Sequence, residues 1–137
     1  MIKGWRWFGP KDPITLSELR QIGVEGIVTA LHDIPNGEVW PLERILEMKN
    51  LIESYGMKWT VAESLPVSEA IKYAGPERDA LIENYKISLA NMGKAELEKQ
   101  IERSRRQMLK AAKDMQFMEA ARLRDEIIKM EKMAGVL

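Results

Sequence analysis

The sequence predicts an α/β chain in which about three strand–helix units are followed by an antiparallel helical hairpin. Three observations carry this expectation. Short β-branched or aromatic runs alternate with helical stretches up to about residue 92. The composition then changes: all four Trp, all six Pro and seven of the nine Gly lie before residue 92, and charged, Met- and Ala-rich sequence follows. Within that later part, two apolar stripes at helical spacing flank a short polar stretch, Asp114-Met115-Gln116. The reading therefore divides the chain into residues 1–92 and 93–137.

In order, Lys3 to Phe8 is short, aromatic and extended, and Gly9-Pro10 and Asp12-Pro13 break it. Thr15-Leu16-Ser17-Glu18 has the capping-box pattern and opens a helix that ends at Gly23. Gly26 to Leu31 is a continuous apolar run, as in a strand covered on both faces. After the loop from His32 to Trp40, Pro41 suits the first turn of a helix that buries Leu42, Ile45, Leu46 and Ile52 and stops at Gly56. Lys58 to Glu63 is the third strand, and Ser68 caps a short turn through Tyr73. Pro76 opens a helix with Ala80, Leu81, Tyr85 and Leu89 on its apolar side. The hairpin stripes are Leu97, Ile101, Met108, Ala112 and Met115, then Ala120, Leu123, Ile127, Met130 and Ala134. Each is narrow, and two helices bury too little area alone, so the hairpin needs a partner.

Composition narrows the function classes. The chain has 21 basic and 21 acidic residues. Eleven basic and eight acidic residues lie from Lys94 onward, against ten and thirteen before it, and an excess of three positive charges is too weak to argue direct nucleic-acid binding. There is no cysteine and one histidine, which excludes disulfides and thiolate metal sites. No apolar run approaches a membrane span and the N-terminus has no signal-peptide core, so a cytoplasmic location is expected.

Trp5-Arg6-Trp7-Phe8-Gly9-Pro10, Val28-Thr29-Ala30-Leu31-His32, Ile34-Pro35-Asn36-Gly37-Glu38-Val39-Trp40, Trp59-Thr60-Val61-Ala62-Glu63-Ser64 and Ile82-Glu83-Asn84-Tyr85 resemble the N-terminal part of mannonate dehydratase. The family's fold implies a partial β/α (TIM-type) barrel, and its activity converts D-mannonate to 2-keto-3-deoxy-D-gluconate. In such barrels the site lies at the carboxyl ends of the strands. That makes His32 and Glu63 the candidate catalytic residues and Trp7, His32, Asn36 and Gly37 the candidate substrate contacts. Each has a plainer reading: His32 a loop histidine, Glu63 a salt-bridged strand end, Asn36-Gly37 a turn, and Trp7 a core strand residue. The full-length family implies a divalent metal, Mn or Fe, held by His, Cys and Asp of later strands. No metal or other cofactor is expected in this chain, and it is expected to be inactive alone.

Lys94 to Lys99, Ile101-Glu102 and above all Phe117-Met118-Glu119-Ala120-Ala121-Arg122-Leu123-Arg124-Asp125 resemble the UVR motif of the UvrB and UvrC repair proteins. The resemblance implies protein contact, with Leu97, Ile101, Met108, Phe117, Ala120, Ala121, Arg124 and Ile127 as interaction residues. Phe117 is expected to pack at the turn, and Arg124 and Asp125 to lie at the seam rim, while Arg105-Arg106 reads as a solvated face. Three parallel strands leave open edges and an uncovered face, on which Trp7, Val28 and Val61 are expected. A homo-oligomer, or pairing with another UVR-containing protein, follows. The alternatives are a dehydratase site completed in a composite barrel, and a chimera or gene relic without a joint function.

Overall fold

A computed structural model describes residues 1–63 and 65–135, so Ser64 of the segment quoted above lies outside the described residues. Contacts divide the chain into two compact units, Met1–Asn91 and Met92–Leu137.

The first unit carries β1 (Gly4–Arg6), α1 (Leu16–Gln21), β2 (Gly26–Thr29), α2 (Leu42–Ser54), β3 (Lys58–Ala62) and α3 (Glu69–Lys72), and α4 (Arg78–Lys113) begins in it. The sheet is parallel throughout in the order β1-β2-β3, with Trp5 level with Ile27 and Arg6 level with Val28. A register shift after Ile27 sets Trp59 against Ile27 but Val61 against Val28. Thr60 is the extra residue of this bulge, and its hydroxyl lies 3.2 Å from the Ile27 carbonyl, to which it donates.

Side-chain alternation then assigns the two faces. Ile27 and Thr29 are fully buried, as are Leu19 of α1 and Ile45 and Ile52 of α2. Trp7 belongs to this buried set: it is 3% exposed and its indole N–H donates to the Ile14 carbonyl at 3.0 Å. The expectation that Trp7 shares an open face with Val28 and Val61 is therefore corrected, because β1 alternates and Trp7 has the parity of Trp5 and Ile27. On the opposite face Arg6, Val28 and Val61 are level with one another, and Val61 is 50% exposed. Gly26 on that face is required, since a Cβ there would lie 2.9 Å from the Thr60 side chain.

The strands are shorter than the apolar runs suggest, for local reasons. After β1 the Phe8 N–H donates to Asp12 Oδ2 at 2.8 Å and Gly9 takes a φ of +93°, which turns the chain away. The Glu63 N–H still donates to the Thr29 carbonyl just past β3. The capping box of α1 forms as expected, with Glu18 N–H donating to Thr15 Oγ1 and Thr15 N–H donating to Glu18 Oε2 at 2.7 Å. That backbone donor holds the Glu18 carboxyl below the usual carboxylate range. Pro41 is the N-cap of α2, not its first turn.

The largest departure concerns α4. The sequence suggests a helix from Pro76 that ends before a separate hairpin, but one helix of 36 residues runs through both. The only breaker in its middle is Gly93, and a lone glycine costs a helix about 1 kcal/mol, too little to end it. In the second unit α4 stops at a turn and α5 (Phe117–Ala134) follows. The turn is a Schellman motif: Gln116 N–H donates to the Ala111 carbonyl at 2.8 Å and Met115 N–H to the Ala112 carbonyl at 3.1 Å. Met115 occupies the left-handed position, with φ +58°, that glycine usually fills. Ile101 and Ala111 of α4 and Leu123 and Ile127 of α5 are buried, and Arg105 pairs with Glu131 between the two helices.

Candidate functional site

Two places in the molecule carry functional potential. The first is the cluster at the carboxyl ends of the strands. Arg6, the last residue of β1, reaches across β2 to Glu63, with Nε 2.7 Å from Oε2. That oxygen is buried and, among the described residues, lacks an aligned hydrogen-bond donor, so the contact with Arg6 is an ion pair by distance and not a well-formed hydrogen bond. The Arg6 guanidinium also sits 4.7 Å above the Phe8 ring, and Phe8 faces His32 with ring centroids 5.9 Å apart. Glu63, Arg6, Phe8 and His32 thus form one continuous group across the ends of three strands. Beside it Phe8, Leu31, His32, Arg44 and Met48 line a cavity of about 340 Å³. Its guanidinium, Arg44, is held by Asp33 at 2.5 Å and Glu47 at 2.6 Å. The Asp33 charge is the main reason that the Arg44 pKa is raised further.

Of the residues singled out in the sequence, only His32 and Glu63 belong to this group. Asn36 is exposed further along the loop that carries His32, and Gly37 is turned toward α4. Three polar side chains of α4 hold that loop. Asn84 Nδ2 donates to the Gly37 carbonyl, Ser88 Oγ accepts from Trp40 N–H, and Asn91 Nδ2 donates to the Trp40 carbonyl, each at 2.9 Å. A Cβ on Gly37, whose φ is +90°, would come within 2.7 Å of Leu81. Gly37 is therefore a backbone requirement, fixed by close approach to α4. Arg6 and Phe8 were legible as the alternate partners of Trp5 and Trp7, since residues two apart share a strand face.

Among the described residues no three His, Cys, Asp or Glu side chains converge as metal ligands. Glu63 faces Arg6 and Asp33 faces Arg44, so both carboxylates are engaged by cations. These residues do not fit a divalent metal, and no chemistry is assigned through one.

The second place is the turn end of the hairpin. Phe117, expected to pack there, is 66% exposed, and Met115 and Met118 beside it are 75% and 87% exposed. Phe117 is the first residue of α5, outside the stripe that Leu123 and Ile127 bury. Ile101 and Ile127 lie inside the hairpin, Leu97, Met108, Ala120 and Ala121 are half-buried, and Arg124 is exposed against its neighbour Asp125 at 3.0 Å. The charged contact between helices is Arg105–Glu131 instead, which corrects the reading of Arg105 as merely solvated. Along the helices, Lys99 and Arg106 hold Glu102, and Arg122 holds Glu119, below the usual carboxylate range.

A parallel three-strand sheet with helices, its polar group at the carboxyl strand ends, followed by a helical hairpin, defines the class: an α/β chain carrying a helical appendage. The family model for D-mannonate dehydratase (UxuA) matches residues 1–101, and the chain belongs to that family. The UvrB/uvrC motif matches residues 98–132. The chain is 55% identical over 96 residues to the mannonate dehydratase of Streptococcus suis (strain 05ZYH33), covering 69% of this chain and 26% of that protein. It is 56% identical over 88 residues to the mannonate dehydratase of Chromohalobacter salexigens, covering 64% and 22%. The crystal structure of the enzyme from Streptococcus suis serotype 2 superposes with a TM-score of 0.65 at 55% identity, covering 68% of this chain and 27% of that one. The chain thus spans about a quarter of the length of the curated relatives it matches. Among the described residues no helix is long and apolar enough to cross a membrane.

Proposed function

We propose that this chain is an interaction protein, in which dehydratase-family strand–helix units carry a UVR hairpin that makes the contact, and which lacks a complete dehydratase site of its own. One observation carries the reading. Ile101, Ala111, Leu123 and Ile127 are already buried within the hairpin, whereas Met115, Phe117 and Met118 at its turn end are exposed together. Large apolar side chains grouped at a tip mark a contact surface. The partner is a second UVR hairpin, from another copy of this chain or from another protein that carries the motif.

This placement changes the informative substitution. Ile127→Asp would put a charge inside the hairpin and unfold it, whatever the hairpin contacts. Phe117→Asp with Met118→Asp removes the tip while favouring the helix, because acidic residues suit the first turn of α5. Light-scattering mass of the whole chain against concentration is the test. The double variant loses the association step that the parent shows. A variant with the parent's mass at every concentration overturns the reading.

A second reading, a dehydratase site completed by further strands in a composite assembly, is favoured by one observation: Arg6, Glu63 and His32 stand together at the strand ends where such sites lie. Dehydration of D-mannonate by the assembled chain, lost on Arg6→Ala, would establish it. Absence of that activity in every oligomeric form rejects it.

A further inference from the structure

The open face of the sheet carries its own pattern, separate from the hairpin. Parallel strands are found almost only in sheets covered on both faces. Here one face is buried under helices, while the other presents Arg6 on β1, Val28 on β2 and Val61 on β3, level with one another, with Glu63 two residues beyond Val61. Val61 is 50% exposed, and the Arg6 and Glu63 side chains are 55% and 32% exposed. The face therefore has a cation on one edge strand, an anion on the other and valine between them.

We infer that this face packs against the same face of a second copy of the chain, about a two-fold axis running parallel to β2. The geometry follows from the strand order. An axis in the interface plane and parallel to the strands places β1 of one copy over β3 of the other, and leaves β2 over β2. Position along the strand is unchanged by that rotation. Arg6 of one copy then stands over Glu63 of its partner, at the offset along the strand that it already spans within its own chain. Val28 meets Val28. Sheets pack about 10 Å apart, a gap that arginine and glutamate side chains from the two faces bridge. Each Glu63, whose side chain stays 32% exposed beside its own Arg6, gains a second guanidinium. A two-fold contact needs a surface that is complementary to itself, and opposite charges on opposite edges provide it. The same axis set perpendicular to the strands would lay β1 over β1 and β3 over β3, which brings like charges together on each edge, and their repulsion rejects it. Three strands about 4.8 Å apart give a small contact, so the association is weak and depends on concentration.

The test separates contact between chains from contact within one chain. Arg6→Glu makes the face acidic on both edges, and Glu63→Arg makes it basic on both. Each variant alone repels its own copy. Mixed in equal amounts, the two complement each other at both positions. Sedimentation of the Phe117→Asp/Met118→Asp chain carrying each change, alone and mixed, removes any contribution from the hairpin tip. The expected result is monomer for each variant and dimer for the mixture, with unchanged circular dichroism. Dimer in either single variant, or monomer in the mixture at concentrations where the unchanged face dimerises, overturns the proposal. Should either variant fail to fold, Val28→Cys supplies the only cysteine, and a short bis-maleimide then yields a covalent dimer if the faces meet. No cross-link at concentrations where the chain associates overturns it equally. Loss of one association step on changing the tip, with the face dimer kept, marks the two contacts as independent, and loss of all association on changing the tip overturns the face dimer.

Discussion

Ser88→Ala probes how the loop between β2 and α2 is held. Ser88 is fully buried on α4; its hydroxyl accepts the Trp40 N–H at 2.9 Å and donates to the Asn84 carbonyl at 2.8 Å. Trp40 is itself 2% exposed, so its N–H cannot turn to water when the hydroxyl is gone. Leaving a buried donor without an acceptor costs about 1–3 kcal/mol. Alanine recovers about 0.5 kcal/mol through its better helix propensity. The net loss is then about 0.5–2.5 kcal/mol. For a unit of this size each kcal/mol lowers the melting temperature by about 4–8 °C. Thermal melting followed by circular dichroism is expected to show a fall of at least about 2 °C. The Trp40 amide is expected to exchange with solvent roughly ten-fold faster in native-state hydrogen exchange. A variant that melts with the parent and protects Trp40 equally would refute the clamp.

Two further predictions concern the second unit. Met115 sits at φ +58° in the Schellman turn and is 75% exposed, so Met115→Gly relieves left-handed strain without loss of packing; the hairpin is expected to gain roughly 0.5–1 kcal/mol, read by hydrogen exchange along α5, and a loss would mean the turn differs. Glu119 is held below the usual carboxylate range chiefly by its hydrogen bond from Arg122. A lowered folded pKa stabilises the hairpin above the ordinary glutamate range, near pH 4.3, and that contribution disappears as pH falls through the folded value. Carboxyl-carbon NMR titration is expected to find Glu119 low and Arg122→Gln to raise it, and equal titration in both chains would contradict the pairing.

Much of the fold was legible because burial and periodicity coincide. Gly26 to Leu31 is apolar at every position from Ile27 to Leu31 except Thr29, and it holds the central strand. The capping box at Thr15 fixed the start of α1 from local chemistry alone. Alternation in Trp5-Arg6-Trp7-Phe8 separates the two faces of β1, yet runs of aromatic residues hide it, and Trp7 was assigned to both readings. The contact stripe of the first part of α4 escaped because it is polar. Asn84, Ser88 and Asn91 bond the loop backbone, while Leu89, read as apolar contact, is 50% exposed. The seam pair Arg105–Glu131 joins residues distant in sequence, and no spacing rule brings them together. Phe117 was misplaced because its proximity to the turn says nothing of which side of α5 it occupies.

The central claim is that the hairpin tip makes the functional contact, and light-scattering mass of the whole chain with and without Phe117→Asp/Met118→Asp tests it most directly. The account predicts that the parent associates as concentration rises and that the double variant, still fully helical, lacks that step. The same mass for both chains at every concentration would contradict it.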